Sequence, residues 1–222
     1  MNSVPSIVRT STASELSTNK VLRNTYLLLG ATLGFSAIVA GIAISMNMPP
    51  MNMWITLGGY FALLFATMKT RDSSLGLLFV FLLTGFLGLT AAPIVNYYLT
   101  SIPNGGQVVM LALGTTAMSF VGLSAYALTT RRDFSFMSGF LVVGVIAAFV
   151  LSLVAYFFNL GALSLMVSGM FVLLSAGIML FQTSAIIHGG ETNYISATVT
   201  LYVSIYNMFM SLLHLFGAAN DD

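Results

Sequence analysis

Residues 136–158 read FMSGFLVVGVIAAFVLSLVAYFF, with Arg131-Arg132-Asp133 just ahead of them. No charged residue falls in that run. A charge placed in hydrocarbon costs about 2.5–3.5 kcal/mol by insertion scales. A bilayer crossing needs about 20 mainly apolar residues, and this run supplies them. The apolar residues are continuous rather than alternating. In lipid a backbone must satisfy its own hydrogen bonds, so the run predicts a helix.

The rest of the chain repeats the pattern. Seven apolar runs lie near 24–46, 52–68, 75–99, 106–129, 136–158, 162–187 and 194–217. The second is the shortest. All Asp, Glu, Lys and Arg residues sit between or outside them: Arg9, Glu15, Lys20 and Arg23; Lys69, Arg71 and Asp72; Arg131, Arg132 and Asp133; Glu191; Asp221 and Asp222. Charged residues make up 6% of the chain, against about 25% in a soluble domain. The expected fold is an all-α polytopic membrane protein of seven transmembrane helices. A tail over 1–23 precedes the bundle of 24–217, and a short segment, 218–222, follows it.

The breaks carry turn chemistry: Pro49-Pro50, Asp72-Ser73-Ser74, Pro103-Asn104-Gly105-Gly106, Asn159 with Gly161, and His188-Gly189-Gly190. Orientation follows from Arg23, Lys69, Arg71, Arg131 and Arg132. Every Lys and Arg lies in the tail or in the breaks after runs two and four, while the breaks after runs one, three and five are uncharged. The positive-inside rule puts the basic segments in the cytoplasm. Seven crossings then put the C-terminus on the other side. The tail, with eight Ser or Thr, reads as flexible. Fully extended it reaches roughly 75–80 Å. Gly30 with Gly34, and Ala37 with Gly41, have the four-residue spacing that lets membrane helices approach closely. Gly139, Gly144, Ser168, Gly169, Ala176 and Gly177 suggest further contacts.

Little catalytic chemistry is available. With no cysteine, thiolate nucleophiles and Cys-ligated metals are excluded. Ser124 with His214 fails as a nucleophile–base pair, since their depths in the bundle differ by something like 20 Å. Ser124 with His188 has neither an orienting partner nor an oxyanion site in evidence. Met46, Met48, Met51 and Met53 could offer thioethers to Cu(I), but Met is also an ordinary filler at membrane interfaces. Gln182, Thr183, Ser184, Tyr202, Ser204, Tyr206 and Asn207 make the last two runs polar. They read as interhelical hydrogen-bonding groups or as a polar gate. His188, Glu191 and Asn193 form a loop suited to contacting a partner. Its plainer reading is a turn, with Thr192 or Asn193 capping the last helix.

Four segments carry a resemblance: KVLRNTY at Lys20–Tyr26, AYALTTR at Ala125–Arg131, IIHGGETNYI at Ile186–Ile195, and LYVSIYN at Leu201–Asn207. They resemble the bacterial FtsH-protease modulators, a branch of the transmembrane Bax-inhibitor-motif family, over essentially the whole length. The resemblance implies a seven-helix inner-membrane protein with its last helix surrounded by the other six. It implies association with the ATP-dependent membrane protease FtsH and its prohibitin-like regulatory complex, restraint of membrane-protein degradation, and no enzymatic activity or cofactor of its own. Other branches carry an acidic pair tied to a calcium or proton leak, in aromatic-acid-Thr and Leu-Tyr-x-acid motifs. The matching positions here read Phe181-Gln182-Thr183 and Leu201-Tyr202-Val203-Ser204. Gln182 and Ser204 can hydrogen-bond each other but cannot share a proton or present carboxylate oxygens to Ca²⁺. An ion leak is therefore the second expectation.

Overall fold

The computed structural model describes residues 7–220, and their side chains from Ser17 onward. They form seven helices: α1 (Ile7–Ser45), α2 (Met53–Thr70), α3 (Ser74–Ser101), α4 (Gly105–Thr130), α5 (Ser138–Phe157), α6 (Gly161–Ile187) and α7 (Tyr194–Asn220). A short 3-10 turn, Ser135–Met137, leads into α5. Six of the helices are long and apolar enough to cross a membrane by length and composition; α2 falls short. It has 18 residues and carries Lys69 in its last turn, giving a length of about 27 Å at 1.5 Å per residue.

Residues 7–23 depart from the flexible tail expected over 1–23. The backbone is helical from Ile7, and α1 runs 39 residues without interruption. No glycine or proline stands between Pro5 and Gly30. A helix already nucleated in the apolar part therefore extends outward, gaining one hydrogen bond per residue fixed. Residues 1–6 and 221–222 lie outside the described residues.

Hydrogen bonds fix which ends of the helices meet. Asn193, ahead of α7, bonds to Arg71 and Asp72 after α2. Ser184 and His188, at the end of α6, bond to residues 131–134 after α4. Thr198 donates to the Thr25 carbonyl, which brings the cytoplasm-assigned part of α1 to the same end. All described Lys and Arg residues thus belong to one end of the bundle, hereafter the basic end. Asn47, Asn104 and Asn159 mark the turns at the opposite end, each with left-handed backbone; asparagine is enriched in that region. At the opposite end Trp54 of α2 lies against Phe157 of α5, so α2 runs from one end of the bundle to the other.

The main neighbours of α7 are α1, α3, α4 and α6. Four helices surround it rather than the expected six. The other two are seated on the outer layer, α2 on α3 and α5 on α6. Small residues hold them there: Gly59 of α2 faces the Phe86 ring, and Gly144 of α5 faces Leu174. The core joins Leu201, Met208 and Leu213 of α7 to Leu29, Val80, Leu83, Ala112 and Met179. A second cluster, Leu141, Ala148 and Leu174, fastens α5 to α6. Lipid is as apolar as these side chains, so close van der Waals packing supplies the attraction.

The glycines expected to mediate close approach on the first span do not do so. A Cβ at Gly30, Gly34 or Gly41 would meet nothing within 4 Å, and all three positions are exposed. The close approach of α1 to α3 runs instead through Gly88, where a Cβ would lie 2.5 Å from the Ser36 carbonyl oxygen. Spacing alone did not reveal which face of α1 turns inward. Of the remaining small residues, Gly144 and Gly177 do face neighbouring side chains, while Gly139 and Gly169 face open space.

Candidate functional site

The α6–α7 connection, 188–193, binds two other loops at the basic end. Asn193 does this with both halves of its amide. Its oxygen accepts from Ile195 N (2.9 Å) and Ser196 N (3.1 Å), capping α7. Its nitrogen donates to the Arg71 carbonyl (3.1 Å) and to Asp72 Oδ1 (2.7 Å). Glu191 completes the cap, accepting from Asn193 N and from Ser196 Oγ. This carboxylate at a helix N-terminus also suits the helix dipole.

The turn itself depends on Gly189, whose φ of 76° is one that side chains rarely adopt. It lets the chain double back so that Glu191 N reaches the Ala185 carbonyl. Ser184 donates to the Arg132 carbonyl at 3.0 Å and accepts from Phe134 N at 3.1 Å. His188 lies with Nδ1 2.9 Å from the Ser184 carbonyl and Nε2 3.1 Å from the Arg131 carbonyl. Both neighbours are acceptors at the ends of helices α6 and α4. The Asp133 carboxyl is held below its usual range, chiefly by the Ser135 backbone N–H, then by the Ser135 side chain, with His188 adding a smaller pull.

His188, Glu191 and Asn193 therefore serve the fold directly, tying the α2–α3, α4–α5 and α6–α7 loops into one unit. Arg131 and Arg132 contribute through their carbonyls, and Arg131 ends α4 with left-handed backbone. Arg71 pairs with Asp72 at 3.8 Å on the surface, a contact of little energetic weight. Lys69 and Arg23 belong to the same end.

Gln182 and Ser204 are both buried but are not bonded to one another. Ser204 donates back to the Thr200 carbonyl. Gln182 Nε2 has no partner, and neither do Thr183 Oγ1, Ser124 Oγ or Thr25 Oγ1. An unpaired buried donor costs about 1–3 kcal/mol, so this interior carries unmet hydrogen-bonding capacity. Ser124 has no base in contact, and His214 bonds to Ser168 instead.

Of the polar residues expected to hydrogen-bond between helices, Tyr202 does so most deeply in the interior. Its hydroxyl hydrogen-bonds with Ser36 Oγ and with the Thr84 carbonyl, joining α7, α1 and α3 in the buried interior. The signal was a tyrosine within an apolar helix, which needs a partner for its O–H. Tyr202→Phe should lower the unfolding free energy in micelles by about 1–2 kcal/mol. Tyr126→Phe should change it little, since that tyrosine is substantially exposed. Stepwise detergent denaturation followed by circular dichroism measures both.

Residues 18–221 match the profile of the Bax1-I family, "Inhibitor of apoptosis-promoting Bax1". The chain belongs to this family. Among Bax1-I relatives, the Modulator of FtsH protease YccA of Escherichia coli K12 is 49% identical over 209 residues, covering 94% of each chain. A Pseudomonas aeruginosa protein is 50% identical over 215 residues, covering 97% of this chain and 96% of its own. A Vibrio cholerae membrane protein is 42% identical over 220 residues. Family membership and the six long apolar helices make this a membrane protein of the Bax-inhibitor type.

Proposed function

We propose that this Bax1-I protein is an inner-membrane modulator of FtsH, restraining the degradation of membrane proteins as an inhibitor or a competing substrate. The observation that carries the reading is 49% identity, over 94% of the chain, to a relative named for that role. Gln182 and Ser204 favour it over the ion-leak alternative, because these interior positions carry no carboxylate. The proposal includes seven membrane crossings, with α2 as the short one. Its support is the course of α2 from Trp54, beside Phe157, to the loop held by Asn193. The basic end is assigned to the cytoplasm by the positive-inside rule, together with the N-terminus, and the end of α7 to the outer side.

FtsH degrades what it can grip and unfold. The proposed handle is the N-terminal segment, and the proposed resistance is the bundle behind it. Helical geometry shortens the handle: residues 7–23 span about 26 Å at 1.5 Å per residue, well below the extended reach. The prohibitin-like regulatory complex is the proposed second partner, on family resemblance.

Two measurements test this. Affinity purification from native bacterial membranes should recover FtsH with the protein, and the purified protein should slow proteolysis of a second membrane substrate. Removing the first ten residues should lengthen the half-life in cells with active FtsH. Failure to recover FtsH, together with flux of Ca²⁺ in proteoliposomes, would support the alternative. An unchanged half-life would remove the handle while leaving the partnership.

A further inference from the structure

A cavity of about 380 Å³ lies between α5, α6 and α7 toward the end opposite the basic loops. His214, Ser168, Ser164, Ser211, Asn207 and Tyr156 line its polar side. Ser168 Oγ is 3.1 Å from the Ser164 carbonyl and 2.8 Å from His214 Nδ1. The carbonyl can only accept, so Ser168 donates to it and accepts from the imidazole N–H. The neutral ring is then held in the tautomer that leaves the Nε2 lone pair free. Among the described residues Nε2 has no hydrogen-bond partner. Neither does the side chain of Ser211, three residues earlier on the same face of α7, nor that of Asn207, one turn farther along.

The charge pattern is one-sided. Tyr156 is the other titratable group of the lining, and no Asp, Glu, Lys or Arg belongs to it. The nearest acids in sequence, Asp221 and Asp222, follow the end of α7. When Nε2 takes up a proton, one positive charge stands beside the Ser211 hydroxyl, with the Asn207 amide farther along the same lining. No carboxylate in the lining competes for these donors. Hydrogen bonds from an ionised donor to an oxyanion are roughly twice as strong as neutral ones.

We propose that this cavity binds a small oxyanion, a carboxylate or phosphate group, between the protonated His214 Nε2 and the Ser211 hydroxyl. The Asn207 amide, about 10 Å farther along the helix by rise, contacts whatever the oxyanion carries. Occupancy rises as pH falls, because the charge that recognises the ligand arrives with the proton.

The chain has two histidines, and His188 is held by the loops of the other end, so it serves as an internal reference. Proton NMR titration of both imidazoles in phosphate-free maltoside micelles, at fixed ionic strength, tests the site. Inorganic phosphate forms one arm and short-chain phosphatidylglycerol the other. Either oxyanion should raise the His214 midpoint by about 1 unit, the effect of an opposite charge within 4–6 Å, and leave His188 unmoved. A response to phosphate alone assigns a solute site; a response to the lipid alone assigns a headgroup site. Ser211→Ala should remove most of the shift while an unchanged His188 resonance reports an intact fold. A His214 midpoint unmoved by both additions, or equal movement of both histidines, overturns the proposal. So does a full shift retained in Ser211→Ala.

Discussion

Asn193→Ala should lower the unfolding free energy of the micelle-purified protein by about 2 kcal/mol, more than any other single substitution in the loops. An N-cap contributes typically about 1 kcal/mol and up to about 2. The same side chain also holds the α2–α3 loop through the Arg71 carbonyl and Asp72. Asp72 is largely exposed, so its share is small, and the cap sets the scale. Asn193→Asp separates the two roles. Aspartate is as good a cap, but it has no N–H for Arg71 and would place a second carboxylate against Asp72. The variant should therefore be destabilised at neutral pH and recover when Asp72→Asn is added. Thermal denaturation of the two single variants and the double variant reads this directly. If Asn193→Asp matches the parent protein, the clamp between loops contributes nothing.

Gly88→Ala should be about as damaging, and its effect falls in the interior. The added Cβ would lie 2.5 Å from the Ser36 carbonyl oxygen and 2.7 Å from Ser36 Oγ. Helix propensity favours alanine by about 1 kcal/mol. Overpacking costs typically about 1–3 kcal/mol, and the contacted carbonyl belongs to a helical backbone that cannot swing aside. The clash wins, with a net loss of about 2 kcal/mol once Ser36 is also pushed off Tyr202. Gly34→Ala is the control, since its Cβ meets nothing within 4 Å; there propensity acts alone, and stability should rise or stay level. Equal behaviour of the two variants would remove Gly88 as the contact point of α1 and α3.

These residues show how unevenly a membrane sequence displays its structure. Helix positions were legible because lipid penalises charge so heavily that charged islands mark the ends on one side, while turn residues such as Pro49-Pro50 and Asn159 mark those on the other. The cap was legible too, since Asn193 stands where side-chain chemistry and helix start coincide. The facing of α1 was not. Gly30, Gly34, Ala37 and Gly41 advertise a close-packing stripe, yet the helix turns the exposed glycines away and meets α3 with Ser36. In water an apolar stripe would have identified the inner face, but on a helix apolar all round nothing distinguishes core from lipid. Of the interior polar positions, Gln182 and Ser204 were correctly located on α6 and α7. The bond imagined between them was not formed, because a serine in a helix can satisfy itself on the carbonyl four residues back, as Ser204 does with Thr200. Ser184 was noticed as polar, but its grip on the 131–134 segment depends on a contact across 52 positions of sequence, which no local pattern records.

The unbroken course of α1 gives the protein a mechanical character. Force applied near Ile7 would enter a helix whose own continuation is packed against α3 and α7. Its outer turns would unwind one hydrogen bond after another, each a small step for a motor. At Thr25 the resistance changes kind, because that residue is fully buried against α7, near Thr198, and beyond it Tyr202 and Gly88 hold Ser36. Pulling would then no longer peel a single helix; it would have to shear α1 out of its seat against two neighbours at once. A machine that advances by small power strokes would meet easy yielding, then an abrupt wall, and the wall stands at the mouth of the bundle.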